Sequence, residues 1–232
     1  MPKIAVLNRS RVVPDDGARA MVEAIQIQVT EHWTPVWGIP ATLSYVSTGE
    51  PDPTDPDLWI VVLLNTSDEA GALGYHDRTK SGRPIGKVFA QTDLAVGASV
   101  SVTLSHEVLE MLADPTINLL AAAGKRLWAY EVCDACEDDS FGYLINGVLV
   151  SDFVFPNYFC PDFPGPYDYM KVIPTPLAIL KNGYMSYFEG GSWQQVSARQ
   201  GSNAVYRAIP PVGSRRERRA RGVERWMDST AV

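Results

Sequence analysis

Apolar residues fall along this chain in short blocks whose pattern changes near residue 115. Before that point, Lys3 to Leu7 is a brief apolar strand, and Pro14-Asp15-Asp16 opens a helix with an Asp as N-cap. The helix stripe, Met21, Val22, Ile25, Val29 and Trp33, keeps helical spacing and stops before Pro35. Ala41 to Val46 and Leu58 to Leu64 read as strands, joined by the rigid Pro51-Asp52-Pro53-Thr54-Asp55-Pro56 loop. The second is apolar throughout, which suits a central strand covered on both faces. Lys87 to Gln91 reads as an edge strand. A helix from about Gly97 to Ala113 follows, with Leu104, Val108, Met111 and Leu112 facing the core and Pro115 stopping it.

This order predicts an α+β fold: a mixed sheet with a backing helix and a second, site-bearing helix beneath it. Beyond Pro115, Arg126 to Val132 is a strand candidate, and Tyr143 to Val150 is a hairpin on a type I′ Asn146-Gly147 turn. Tyr184 to Phe188 and Trp193 to Val196 form a second hairpin around Glu189-Gly190-Gly191-Ser192. Residues 155–176, rich in Pro and aromatics, read as an ordered irregular loop. The chain therefore divides into residues 1–115, a hairpin- and loop-rich lobe at 116–200, and an Arg-rich tail at 201–232 that lacks periodicity.

Composition narrows the class. The chain has 232 residues, 46% hydrophobic and 20% charged, as in ordinary globular proteins. Its N-terminal apolar run is too short for a signal peptide, and Leu58 to Leu64, the longest, is too short to span a bilayer. The expectation is a cytoplasmic protein, or one carried in a particle assembled in the cytoplasm, with no membrane contact. The net charge of −7 conceals an asymmetry. Residues 214–232 hold six Arg against three acids, +3, which leaves −10 on the rest. Such a tail suits docking to an acidic protein partner or to nucleic acid, although the alternation in Arg215-Arg216-Glu217-Arg218-Arg219 favours a solvated helix. Cys133-Asp134-Ala135-Cys136 has redox or metal spacing but no second pair. Its acidic neighbours should raise the thiol pKa values, so both cysteines read as small semi-buried turn residues.

The candidate chemistry lies in Ser105-His-Glu-Val-Leu-Glu-Met-Leu-Ala-Asp-Pro115. Residues four apart share a helix face, so His106 and Glu110 point the same way, with Asp114 a turn further on. Glu107 lies about 100° around the helix. This is the pattern of the His-Glu-x-x-His helix, in which two residues grip a metal and the Glu acts as general base, here with Glu110 in place of the second His. A donor set so rich in carboxylate favours Mn²⁺, Fe²⁺ or Ca²⁺ relative to zinc. The competing reading is an exposed charged helix face. Asp114, Glu131, Asp134 and His76 are the candidates for a third ligand. Asp114 lies about 12 Å from His106 along a straight helix and fits better as a supporting carboxylate. Asp134 fits an orienting partner of His106. His76 suits a metal ligand, an oxyanion donor or an ordinary loop residue, and His32 a cation at a helix C-terminus.

Three strings, Leu73-Gly-Tyr-His-Asp77, Leu104 to Pro115 and Tyr130-Glu-Val-Cys-Asp134, resemble a family of zincin-like metallopeptidases of bacteria and phages. The resemblance covers roughly residues 1–190. It implies a zincin-like fold and a zinc or other divalent-metal site on His106, Glu110 and Glu131, where Glu131 stands as the downstream Glu does in gluzincins. Glu107 would be the general base and His76 a catalytic support, with a peptide substrate laid along the edge strand at Val88 to Gln91. The alternative is a zincin-fold interaction protein or phage virion structural protein, without cofactor or catalysis, that docks through residues 214–232.

Overall fold

The computed structural model describes residues 1–69 and 72–198, and the backbone of 205–208. Its first half comprises β1 (Lys3–Asn8), α1 (Asp15–Ile27), α2 (Thr34–Trp37), β2 (Thr42–Val46), β3 (Trp59–Leu64), β4 (Gly74–Arg78), β5 (Pro84–Phe89), α3 (Ala90–Val96) and α4 (Val100–Ala113). The strands form one sheet in the order β2-β1-β3-β5-β4. All neighbours in it are parallel except β4, which runs antiparallel to β5 with His76 opposite Gly86. The second half adds β6 (Leu120–Ala123), β7 (Arg126–Ala129), the hairpin β8 (Tyr143–Ile145) and β9 (Val148–Val150), β10 (Tyr184–Glu189), β11 (Ser192–Ser197) and β12 (Val205–Ala208). Of these, β12-β11-β10-β7-β6 make an antiparallel sheet. The fold is α+β, as the element order predicts.

One apolar cluster joins the two halves, taking in Ile4, Ile25, Leu109, Phe153 and Met185. At its centre, α4 packs against β4 and β5 on one side and β9 on the other. Nearly every residue of α4 is buried, polar ones included. A helix covered all round belongs to the core, so the exposed-charged-face reading does not hold. Among the described residues no helix is long and apolar enough to cross a membrane.

Local chemistry explains where the elements depart from expectation. Asp15 does not cap α1; its Oδ1 reaches back to accept from Asn8 Nδ2, the Tyr45 hydroxyl and the Thr48 amide, tying β1 to the loop after β2. Pro35 does not end the helix either. Residues Gln28–Trp33 widen into a π-turn, and α2 restarts so that Pro35 sits in a first turn, where its missing N–H costs nothing. His32 therefore lies within the helical stretch. Its Nδ1 is 3.0 Å from the Tyr143 hydroxyl, its ring stacks on Tyr169, and burial lowers its pKa, so it is not a helix-end cation.

The strand read at Lys87 to Gln91 starts earlier and ends at Phe89, because α3 takes over at Ala90. It is not an edge. Residues 84–89 pair with β3 on one side and β4 on the other, so β4 is the edge strand. Both hairpins form as read, with Asn146 and Gly147 at φ +49° and +82°. Residues 155–176 hold one short helical turn and otherwise irregular backbone. Of the Arg-rich tail read at 201–232, only the backbone of Val205–Ala208 is among the described residues, and it forms β12 against β11 rather than aperiodic chain; residues 209–232 lie outside the described residues.

A buried acid pair fastens that loop. Asp152 Oδ1 accepts from the amides of Phe153 and Met170, and Asp168 accepts from those of Val172 and Ile173. Both side chains are buried, and burial together with the Asp168 carboxylate pushes Asp152 up to about 9. An acid whose native pKa exceeds its unfolded value of about 3.9 keeps a proton that the unfolded chain releases, so its contribution to stability falls as pH rises from about 4 to 9. Asp152→Asn donates toward Asp168 at any pH. Denaturant unfolding across pH 4–9 should find this variant more stable than wild type by on the order of 2 kcal/mol near pH 8 and equal to it near pH 4. Parallel profiles would show that the pair shares no proton.

Candidate metal centre

Three anchors place α4. The Asp139 carboxylate accepts from the amide and hydroxyl of Ser99 just before the helix. Asp93 accepts from the Thr103 hydroxyl, fixing α3 against α4. The Ser105 hydroxyl donates to Val102 O and accepts from the Ser151 amide at 2.6 Å, clamping the helix to the chain after β9. The last contact precedes His106 by one residue. The His106 and Glu110 side chains thus leave a helix held at both its start and its middle.

His106 Nε2 lies 3.2 Å from Glu110 Oε2 and 3.4 Å from Asp134 Oδ1. Donors at about 2.1 Å from a tetrahedral cation stand about 3.4 Å from one another. The three donor atoms lie within 4.8 Å of each other, and so do those of His76, Glu110 and Glu131. The set of one imidazole and two carboxylates suits a divalent cation in chemistry as in spacing. His106, Glu107, Glu110, Glu131 and Asp134 are each at most 8% exposed, and His76 is fully buried.

The structure re-sorts the sequence candidates. Asp134 faces the same His106 nitrogen that Glu110 faces, so it stands as a ligand candidate rather than an orienting partner. Glu131 lies on the other side, with Oε2 3.8 Å from His76 Nε2. His76 is within β4, not before the edge strand, and its Nδ1 is 3.5 Å from both Glu107 Oε2 and Glu110 Oε2. Asp114 is turned away: its carboxylate accepts from the amides of Asn118 and Leu119 and closes the turn after α4. Tyr75 alternates away from His76 along β4, and its hydroxyl donates to Asp68. Cys133 and Cys136 are free and buried, and burial raises both thiols well above their usual range. The Cys133 amide nevertheless matters, donating to Glu110 Oε1 at 3.1 Å.

Charge is crowded here. Burial opposes protonation of His76, but Glu131, Glu107 and Glu110 outweigh it and raise the imidazole to about 9. Against the same burial penalty, Glu110 and Asp134 hold the His106 imidazole well above its ordinary value. Burial and the Glu110 charge push Asp134 up to about 7, and burial and Asp134 push Glu137 to about 8. More carboxylates converge than two imidazoles can neutralise, which is the condition that a bound cation relieves.

Two glycines, whose part in the site the sequence motifs do not state, let the parts approach. A Cβ on Gly74 would sit 2.8 Å from Glu107 Oε1, so only Gly lets the edge strand lie against the Glu107 carboxylate. A Cβ on Gly183 would meet Ala135 O at 2.6 Å and Asp134 O at 2.9 Å. There the chain packs directly on the short turn at Asp134–Cys136, which also takes the Leu180 amide on Ala135 O.

No family model, curated protein or solved structure matches this chain. The site is therefore read from its own geometry.

Gly183→Ala must push the Asp134 turn without altering any candidate ligand. Calorimetric titration with Mn²⁺ or Zn²⁺ should give an affinity about 10- to 100-fold weaker than wild type, at unchanged circular dichroism. Unchanged affinity would show that this packing does not set the position of Asp134.

Proposed function

We propose that this chain is a metal-dependent hydrolase of peptide bonds whose cation is held by His106, Glu110 and Asp134. The observation that carries the reading is the position of Glu107. Its carboxylate lies beside the ligand cluster, near His76, and directly against the backbone of Gly74 in the edge strand. This position supports a role for Glu107 as general base, between the proposed cation and an extended peptide that adds to the edge strand by backbone pairing. The outer side of β4 carries no strand partner among the described residues, so peptide addition belongs there rather than at Val88 to Gln91.

Bound in this cluster, a divalent cation supplies a Lewis acid that polarises a carbonyl and lowers the pKa of water. Glu107 takes the proton of the attacking water and returns it to the departing amine. His76, packed between Glu107, Glu110 and Glu131, holds these carboxylates in register. The carboxylate-rich donors lean toward Mn²⁺ or Fe²⁺, with zinc the natural comparison.

A second reading has an observation of its own. Every candidate ligand is buried, and closed sites are the mark of structural rather than catalytic metals. On that reading the cation fastens α4 to the turn at Asp134, and the protein serves as a binding or assembly component.

Metal analysis of the purified protein, with peptidase assays of wild type and Glu107→Gln, separates the two. The hydrolase reading expects bound metal in both and activity about 10²- to 10⁴-fold lower in the variant. Metal-loaded wild type that cleaves no peptide in a broad library would overturn catalysis and leave the closed centre.

A further inference from the structure

We propose that the centre holds two cations that share Glu110, one with His106 and Asp134 and the other with His76 and Glu131; this rests on the metal-binding part of the reading above, not on catalysis. Both imidazoles approach one oxygen. His106 Nε2 is 3.2 Å and His76 Nδ1 is 3.5 Å from Glu110 Oε2, while Glu110 Oε1 is engaged by the Cys133 amide. Each imidazole also faces a carboxylate of its own, Asp134 for His106 and Glu131 for His76. The two three-residue groups have only Glu110 in common. The site therefore has two halves that share Glu110: His106 faces both of its carboxylates through Nε2, while His76 faces Glu110 through Nδ1 and Glu131 through Nε2, with one donor atom from each of the three still within 4.8 Å of the others.

Formal charge agrees with this count. Glu107, Glu110, Glu131 and Asp134 are all buried and together carry −4 when ionised. One divalent cation leaves −2 in the core, whereas two cancel the charge while both imidazoles stay neutral, as ligands must. The rival is a protonated His76 standing in for the second cation. Charge-assisted N–H···O contacts are about 2.7–2.9 Å long. The contacts of His76 with Glu107 and Glu110 (both 3.5 Å, at Nδ1) and with Glu131 (3.8 Å, at Nε2) are all longer than that.

The test is stoichiometry. Full-length protein equilibrated with Mn²⁺, freed of excess and analysed by plasma mass spectrometry should hold two Mn²⁺ per chain, and His76→Gln and Asp134→Asn one each. Electron paramagnetic resonance of loaded wild type needs no variant and should show an exchange-coupled pair. One uncoupled Mn²⁺ per chain at saturation, unchanged by His76→Gln, would overturn the second position and leave the single-cation reading standing. No bound Mn²⁺ and no bound Zn²⁺ would overturn both.

Discussion

Burying ionised side chains is the most expensive thing this fold does, and α4 does it in the middle of the core. A helix wrapped on all sides has no water to solvate Glu107 and Glu110, so their charge must be met by partners brought from elsewhere in the chain. The first half supplies His76 from the edge strand. The second supplies Glu131 and Asp134 from the segment after β7. The two sheets and the single apolar cluster joining them can be understood as the frame that brings these partners together. A charged core of this kind rewards a cation, because cation binding and folding then draw on the same free energy.

The supports share one style. Five carboxylates elsewhere are engaged by backbone amides or hydroxyls: Asp139 at the start of α4, Asp114 beyond its end, Asp152 and Asp168 in the aromatic loop, Asp15 beneath β1. The cluster around His106 is different. There, the carboxylates of Glu107, Glu110, Glu131 and Asp134 each face an imidazole nitrogen at 3.2–3.8 Å. That contrast separates acids that tie the backbone together from acids grouped so that they could hold a metal ion.

The helical part of the site was legible because it is local. His106 and Glu110 sit four residues apart, and a fixed helical pitch places them on one face without reference to the rest of the chain. Both hairpins were legible because Asn146-Gly147 and Gly190-Gly191 are residues that tolerate positive φ. The assignment of ligands was not. Whether Asp134 or Glu131 meets His106 depends on a three-residue turn and on chain packing around Gly183, and neither has a periodic signal. The edge strand was misplaced for a related reason. Gly74-Tyr75-His76-Asp77-Arg78 is too polar to read as a strand, yet it buries Asp77 and also His76, whose imidazole faces the site.

The Cys133-Asp134-Ala135-Cys136 segment resembles a redox motif in lettering, yet its contribution to the centre is made by main-chain amide and carbonyl groups and by one aspartate. Neither thiol is needed to orient Glu110; any small residue at 133 that keeps the backbone in place would present the same N–H. Relatives could thus lose both sulfurs by drift without disturbing the surroundings of Glu110. Conversely, an intact pair of cysteines in a distant sequence would be no sign that the cluster of imidazoles and carboxylates had survived.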